Sequence, residues 1–221
     1  MTEGAMGEER EKRAAIVAAC LRINTVGLNQ GTSGNISVRH GDGILITPSS
    51  IPYEQMVPAD IVFMEMDGTP HGARKPSSEW RFHLDILRAR PELNAVVHAH
   101  APYCTTLAIM HMEIPAVHYM VAAAGGANIR CAPYATFGTQ ELSDHIIEAL
   151  QGRKACLMAH HGMLAAEDSL DKAMWLAVEV EALARQYHGA LLLGDPPLLD
   201  DAQLAEAVAQ FTAGYGQADK G

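Results

Sequence analysis

Apolar and polar positions alternate along the chain in stretches that switch repeatedly between helical and extended spacing. From Glu8 to about Val26 the apolar residues Ala14, Ile16, Val17, Cys20, Leu21 and Ile23 recur as on one side of a helix, and Gly27 ends it. Ile36-Ser37-Val38-Arg39 alternates like a strand. The turn His40-Gly41-Asp42-Gly43 brings the chain back into Ile44 to Thr47, which makes a β-hairpin. A short segment from Ile51 to Met56 precedes a strand from Ile61 to Met66 and a turn at Asp67-Gly68. Pro76 to about Arg90 reads as a helix with Ser77 or Ser78 as N-cap. A strand at Ala95 to Val97, a helix from Tyr103 to Met110 and a short extended piece from Ile114 to Val117 follow. Then come a strand from Ile129 to Ala132, a helix from Thr139 to Leu150 and a strand from Ala155 to Ala159. A long helix starting at Ser169 runs to about Leu192, and a short one spans Asp201 to Gln210. This mixture predicts an α/β fold.

The main candidate chemistry lies where the strand Ala95-Val96-Val97 ends in His98-Ala99-His100. Residues i and i+2 of a strand point to one face, so the two imidazoles should stand side by side as metal ligands do. Two imidazoles are too few for a stable zinc site, which takes three or four N, S or O donors. Further donors are available at His160-His161-Gly162, after another apolar run, and at Glu79. An isolated pair of this kind would more often cap a core strand. A second histidine-ended strand and an upstream carboxylate shift the balance to a metal.

Three loops of small polar residues, around Thr32 to Asn35, Ser49-Ser50 and Ser77-Ser78, supply N–H donors and hydroxyls that suit a phosphate group. Any one alone is ordinary turn and capping chemistry. Charge adds a constraint, because the formal net charge is −10 and no run of Lys or Arg exceeds an adjacent pair. That balance leaves no electrostatic footprint for nucleic acid, and an anionic substrate needs backbone donors or a metal. At 221 residues the chain suffices for one domain. Its four cysteines, Cys20, Cys104, Cys131 and Cys156, are dispersed and predict neither disulfides nor a cysteine metal site. Cys104 is expected to be a buried thiol. The charged N-terminus and the short apolar run Ala14 to Leu21 predict a cytoplasmic protein without a membrane span. Residues 1–6 are expected to be unstructured and 212–221, with Tyr215, to form a mobile tail around a domain of residues 7–211.

The chain resembles the class II aldolase/adducin superfamily, most closely its bacterial L-fuculose-1-phosphate aldolase branch. The residues that carry the likeness are Gly27-Leu28-Asn29-Gln30-Gly31-Thr32, Gly34-Asn35, Leu45-Ile46-Thr47-Pro48, Pro76 to His83, Ala95 to His98, His118-Tyr119-Met120, Ala132 to Thr139 and His160-His161-Gly162. The resemblance implies a central, mainly antiparallel sheet flanked by helices, and a homotetramer with active sites between subunits. It implies one Zn2+ per subunit, with Mn2+ or Co2+ as substitutes, held by His98, His100, His161 and Glu79. His160 is then a neighbour of the site. Glu79 is also implied as catalytic base, Tyr119 as a proton donor in the neighbouring subunit's site, and Phe137 and Tyr215 as lining of the aldehyde pocket. Thr32, Asn35, Ser49, Ser50, Ser77 and Ser78 match phosphate-binding positions, although Ser49-Ser50 stands where relatives carry Thr-Gly. The implied reaction is reversible cleavage of a ketose 1-phosphate to dihydroxyacetone phosphate and an aldehyde. L-fuculose 1-phosphate, 5-deoxyribulose 1-phosphate and 5-(methylthio)ribulose 1-phosphate are the candidate substrates. Epimerisation or dehydration on the same scaffold, or a non-catalytic adducin-like module, are the alternatives.

Overall fold

The apolar stripe of the first helix folds as α1 (Glu3–Thr25), which begins five residues before the expected Glu8 and takes residues 3–6 into the helix. Ion pairs Lys12–Glu8 and Arg13–Glu9, each spanning one turn, favour helix over coil in the next part of α1, residues 8–13. The computed structural model describes residues 3–212, so Tyr215 and the tail from 213 onward lie outside the described residues.

Eight strands form one sheet, six of them where the sequence pattern predicts a strand. They are β1 (Asn35–His40), β2 (Gly43–Ile46), β3 (Val62–Glu65), β4 (Pro70–His71), β5 (Ala95–Ala99), β6 (Cys131–Ala132), β7 (Ala155–Met158) and β8 (Gly162–Glu167). Their spatial order is β4-β3-β2-β1-β5-β8-β7-β6. Every pairing is antiparallel except β6 with β7. The remaining helices are α2 (Trp80–Ala89), α3 (Pro102–Ile109), α4 (Gln140–Ala149), α5 (Leu170–Leu191) and α6 (Asp201–Thr212).

Strand β8 was not foreseen. Its run Gly162-Met163-Leu164-Ala165-Ala166 is buried at every position, and a strand covered on both faces shows no alternation by which to recognise it. Tertiary structure supplies the alternation instead. Met163 and Ala165 join the cluster containing Ile16 and Ile23 of α1 and Leu176 and Val180 of α5. Leu164 and Ala166 join Phe82 and Ile86 of α2 and Leu142 and Ile146 of α4. The sheet therefore sits between two helical layers, and the chain's chemistry is placed at one end of its central strands.

Helix α2 begins at Trp80, later than the expected Pro76, so neither Ser77 nor Ser78 is its N-cap. Backbone pairing explains the shift, because Ser77 N–H donates to Thr47 O at 2.9 Å and Pro48 bridges Pro76. Glu79 takes the cap position but makes no side-chain capping bond, which leaves its carboxylate free to turn inward. The other two caps behave as the sequence indicates: Thr139 accepts from Leu142 N–H and Ser169 from Lys172 N–H.

Phe82 joins this core to the site, being 1% exposed, stacked on His83 at 4.6 Å and edge-on to His98 at 5.6 Å. Phe82→Ala should cost about 3–5 kcal/mol, the usual range for a buried phenylalanine, read as a lower urea midpoint at unchanged slope. A cost under about 1 kcal/mol would show that the residue is not a core contact.

Candidate active site

Three separate segments bring four ligand-type side chains together. His98 is the fourth residue of the fully buried strand β5, and His100 follows it two residues later on the same face, as strand geometry requires. His161 comes from the three-residue turn joining β7 to β8, where Met158 pairs with Gly162. In that turn His160 adopts a left-handed φ of 55° and is exposed, whereas His161 turns inward. Backbone direction thus decides between two adjacent histidines that spacing left equivalent. Gly162 makes the turn fit, since a Cβ there would meet Ala99 O at 2.5 Å. Glu79 completes the set from the start of α2.

The ligand atoms of Glu79, His98, His100 and His161 all lie within 4.8 Å of one another. Imidazole centroids are 4.8 Å apart for His98–His161 and 5.0 Å for each of the other two pairs. Glu79 Oε2 is 3.2 Å from His98 Nε2, and Oε1 is 3.1 Å from His161 Nε2. Distances alone suggest ion pairs, yet Glu79 Oε1, His98 Nε2 and His100 Nε2 are buried without a hydrogen-bond partner. His98 Nδ1 lies 2.8 Å from Met163 O, a carbonyl that can only accept, so Nδ1 carries the proton. Neutral His98 then points a lone pair at a carboxylate. Buried acceptors facing one another in this way need a cation between them, and three nitrogens with one carboxylate oxygen suit a metal ion. The four residues could hold one.

Burial works against an ionised Glu79, but positive charge facing it, on His98 and His161 or on a cation held among them, outweighs burial and holds the carboxyl well below the usual range. Burial and the neighbouring His98 and His161 push His100 down to about 4, so at neutral pH its lone pair is available to a metal. Supporting contacts fix the ligands. Asn35 Nδ2 donates to Glu79 Oε2 at 2.9 Å, and His100 N–H donates to Asn29 Oδ1 at 3.2 Å.

The cluster opens into a cavity of about 440 Å³. Thr32, Asn35, Ser49, Ser50, Ser77, Ser78 and Phe137 all line it together with Glu79, His100 and His161. Asn35 differs from expectation in one respect, because its amide is engaged by Glu79 and His83. Tyr119 is 47% exposed on a 3-10 turn (Tyr119–Ala124), stacks on His118, and does not line this cavity. Sequence reasoning missed Tyr134 and His160 as lining residues, and Asn29 and His83 as supports. All four fall inside the motifs that carry the family likeness, but nothing in their spacing marked these roles. Cys104 is a buried free thiol in the opposite helical layer, as expected.

Fold and donor set define the class: an α/β protein whose cavity ends on four residues able to hold a metal ion. The family model described as Class II Aldolase and Adducin N-terminal domain matches residues 14–188, and the chain belongs to that family. It is 53% identical over 210 residues to the L-fuculose phosphate aldolase of Escherichia coli (strain K12), covering 94% of this chain and 97% of that protein. It is also 53% identical over 204 residues to the 5-methylthioribulose-1-phosphate/5-deoxyribulose-1-phosphate aldolase of Rhodospirillum rubrum, covering 92% of each. A solved L-fuculose 1-phosphate aldolase superposes with a TM-score of 0.88 at 37% identity, covering 90% of this chain and 95% of that one. The protein is accordingly an enzyme of the lyase class. Among the described residues no helix is long and apolar enough to cross a membrane.

The depressed histidines fix the sign of an acid effect on the metal-free protein. His83, fully buried, is pushed down to about 3, chiefly by burial and then by His98, while His100 is near 4. An unfolded histidine titrates near 6.5, so between that pH and the folded values the unfolded chain binds more protons. Their contribution to stability is full above about pH 6.5 and is lost as pH falls toward 4 and then 3. Urea midpoints of metal-free protein should therefore fall steadily from pH 7.5 to 4.5. Unchanged midpoints across that window would mean these imidazoles are not buried neutral.

Proposed function

We propose that this protein is a zinc-dependent class II aldolase that reversibly cleaves a ketose 1-phosphate to dihydroxyacetone phosphate and an aldehyde. The observation that carries the reading is the junction of the four-ligand cluster with a hydroxyl-lined cavity. Three imidazoles and one carboxylate favour zinc, and Mn2+ or Co2+ can use the same donors. A divalent ion held there supplies Lewis-acid polarisation of the C2 carbonyl and stabilises the negative charge released when the C3–C4 bond breaks.

The chain's own groups do the rest. Thr32, Ser49, Ser50, Ser77 and Ser78 hold the phosphate through hydroxyls and backbone N–H groups, which a protein of net charge −10 needs at an anion site. Glu79 moves the proton at C3, removing it in condensation and returning it in cleavage; its anionic form at neutral pH suits a base. Tyr119 serves the aldehyde oxygen of a neighbouring subunit in a homotetramer, donating a proton as the new bond forms. Its exposure and its absence from its own chain's cavity lining support that assignment. Phe137 and Tyr215 line the aldehyde end.

The relatives' names support three candidate substrates: L-fuculose 1-phosphate, 5-deoxyribulose 1-phosphate and 5-(methylthio)ribulose 1-phosphate. These differ only beyond C4, where an apolar wall such as Phe137 discriminates methyl or methylthio from hydroxylated carbons by modest factors. We place the enzyme in the cytoplasm.

Coupled assays of dihydroxyacetone phosphate release from the three ketoses test the reaction and rank the substrates by kcat/KM. Conversion of L-ribulose 5-phosphate to xylulose 5-phosphate, with no aldol cleavage, would replace this reading with epimerisation. Glu79→Gln should leave the fold intact and lower turnover on the order of 10²–10⁴, the range for a general base. Wild-type turnover by that variant with metal bound would remove Glu79 from the mechanism.

A further inference from the structure

Beneath the ligand cluster runs a line of three buried polar side chains that neither the fold nor metal binding by itself requires. Glu79 Oε2 accepts from Asn35 Nδ2 at 2.9 Å, Asn35 Oδ1 lies 2.5 Å from His83 Nε2, and His83 Nδ1 lies 2.8 Å from Ser37 Oγ. All four residues are buried, Ser37 and His83 with no exposure at all. Their protons can be assigned by elimination. A carboxylate only accepts, so the Asn35 atom facing Glu79 is the NH2 group and the atom facing His83 is the carbonyl oxygen. A carbonyl oxygen also only accepts, so His83 Nε2 carries a hydrogen. Neutral imidazole then has its lone pair on Nδ1, and the Ser37 hydroxyl must donate to it.

We propose that Ser37 and His83 are positioning residues that lock the Asn35 amide with its NH2 group toward Glu79, and so fix which carboxylate oxygen is free to carry a proton. Asn35 holds Oε2. Oε1 is the oxygen left without a hydrogen bond, directed to the side of His161 and the cavity. Without the Ser37 hydroxyl, His83 has no donor at Nδ1 and can carry its hydrogen there instead. Its Nε2 lone pair then opposes the Asn35 oxygen, and relief comes from turning the amide over. That turn places the oxygen against the Glu79 carboxylate, where two acceptors repel and Glu79 loses its fixed plane. Burial keeps His83 neutral, so the direction of the relay is stable across physiological pH.

The inference rests on Glu79 as the proton carrier of the proposed aldol reaction, and its test separates the two ideas. Imidazole 15N NMR on the metal-free protein should show His83 as the neutral Nε2–H tautomer, and Ser37→Ala should convert it wholly or partly to Nδ1–H. In the metal-loaded enzyme Ser37→Ala should lower kcat by about 10–100-fold, the usual effect of losing an outer hydrogen bond, with KM little changed. Ser37→Thr, which keeps the hydroxyl, should restore both the tautomer and kcat. An Nδ1–H tautomer in the wild-type protein overturns the relay, and this reading stands even where Ser37→Ala fails to fold. Unchanged kcat in a folded Ser37→Ala enzyme also overturns it, as does a loss of kcat without any change of tautomer. If Glu79→Gln keeps full turnover, the base assignment fails whatever the tautomer shows.

Discussion

The site depends on one electrostatic constraint: a carboxylate and three imidazoles converge in a corner where Glu79 Oε1, His98 Nε2 and His100 Nε2 are buried without a hydrogen-bond partner. His98 gives its only proton to Met163 O, which leaves its remaining lone pair facing the Glu79 carboxylate at 3.2 Å. Desolvated acceptors cost free energy unless something positive sits among them. The rigid parts of the fold are arranged to keep them together. β5 and β8 are central strands buried on both faces, and Gly162 lets His161 approach the end of β5 where a Cβ would collide. Stability is thus given up locally for the ability to bind a cation strongly, and the surrounding double-layered core supplies the excess.

The same corner joins two kinds of recognition that seldom need a basic protein. Small hydroxyl-bearing residues from three loops line the cavity, and the four residues that could hold a metal ion lie at its end. A net charge of −10 is therefore compatible with the proposed sugar-phosphate substrate, because hydroxyl and backbone donors act locally and directionally. Glu79 belongs to both halves, since its backbone N–H contacts Ser77 Oγ while its carboxylate faces the histidines. The late start of α2 makes this double role available: a serine cap at 77 or 78 would have wound Glu79 into the first turn.

Much of this was legible in the residue pattern. The β-hairpin, the capped helices at Thr139 and Ser169, and the side-by-side placement of His98 and His100 follow from local periodicity and side-chain chemistry, which act over a few residues. Residue chemistry also offered Glu79, the His160-His161 pair and the three loops, and resemblance to a family chose His161 as the ligand; the fold brings all of these to one cavity. Strand β8 escaped because burial on both faces erases the alternation that marks a strand. The first turn of α1 escaped because Glu3-Gly4-Ala5-Met6 carries no apolar period by which to recognise a helix.

The sequence by itself determined the ligand types, the order of most elements and the acidic charge balance without a long Lys or Arg run, since these are properties of composition and short-range spacing. Only the tertiary structure decided that His161 enters the site while His160 faces out, that Glu79 is freed from capping, and that Ser37 and His83 stand behind Asn35. Each of those outcomes depends on contacts between residues distant along the chain, Gly162 against Ala99, Ser77 against Thr47, and His83 against both Asn35 and Ser37, and no local pattern encodes such meetings.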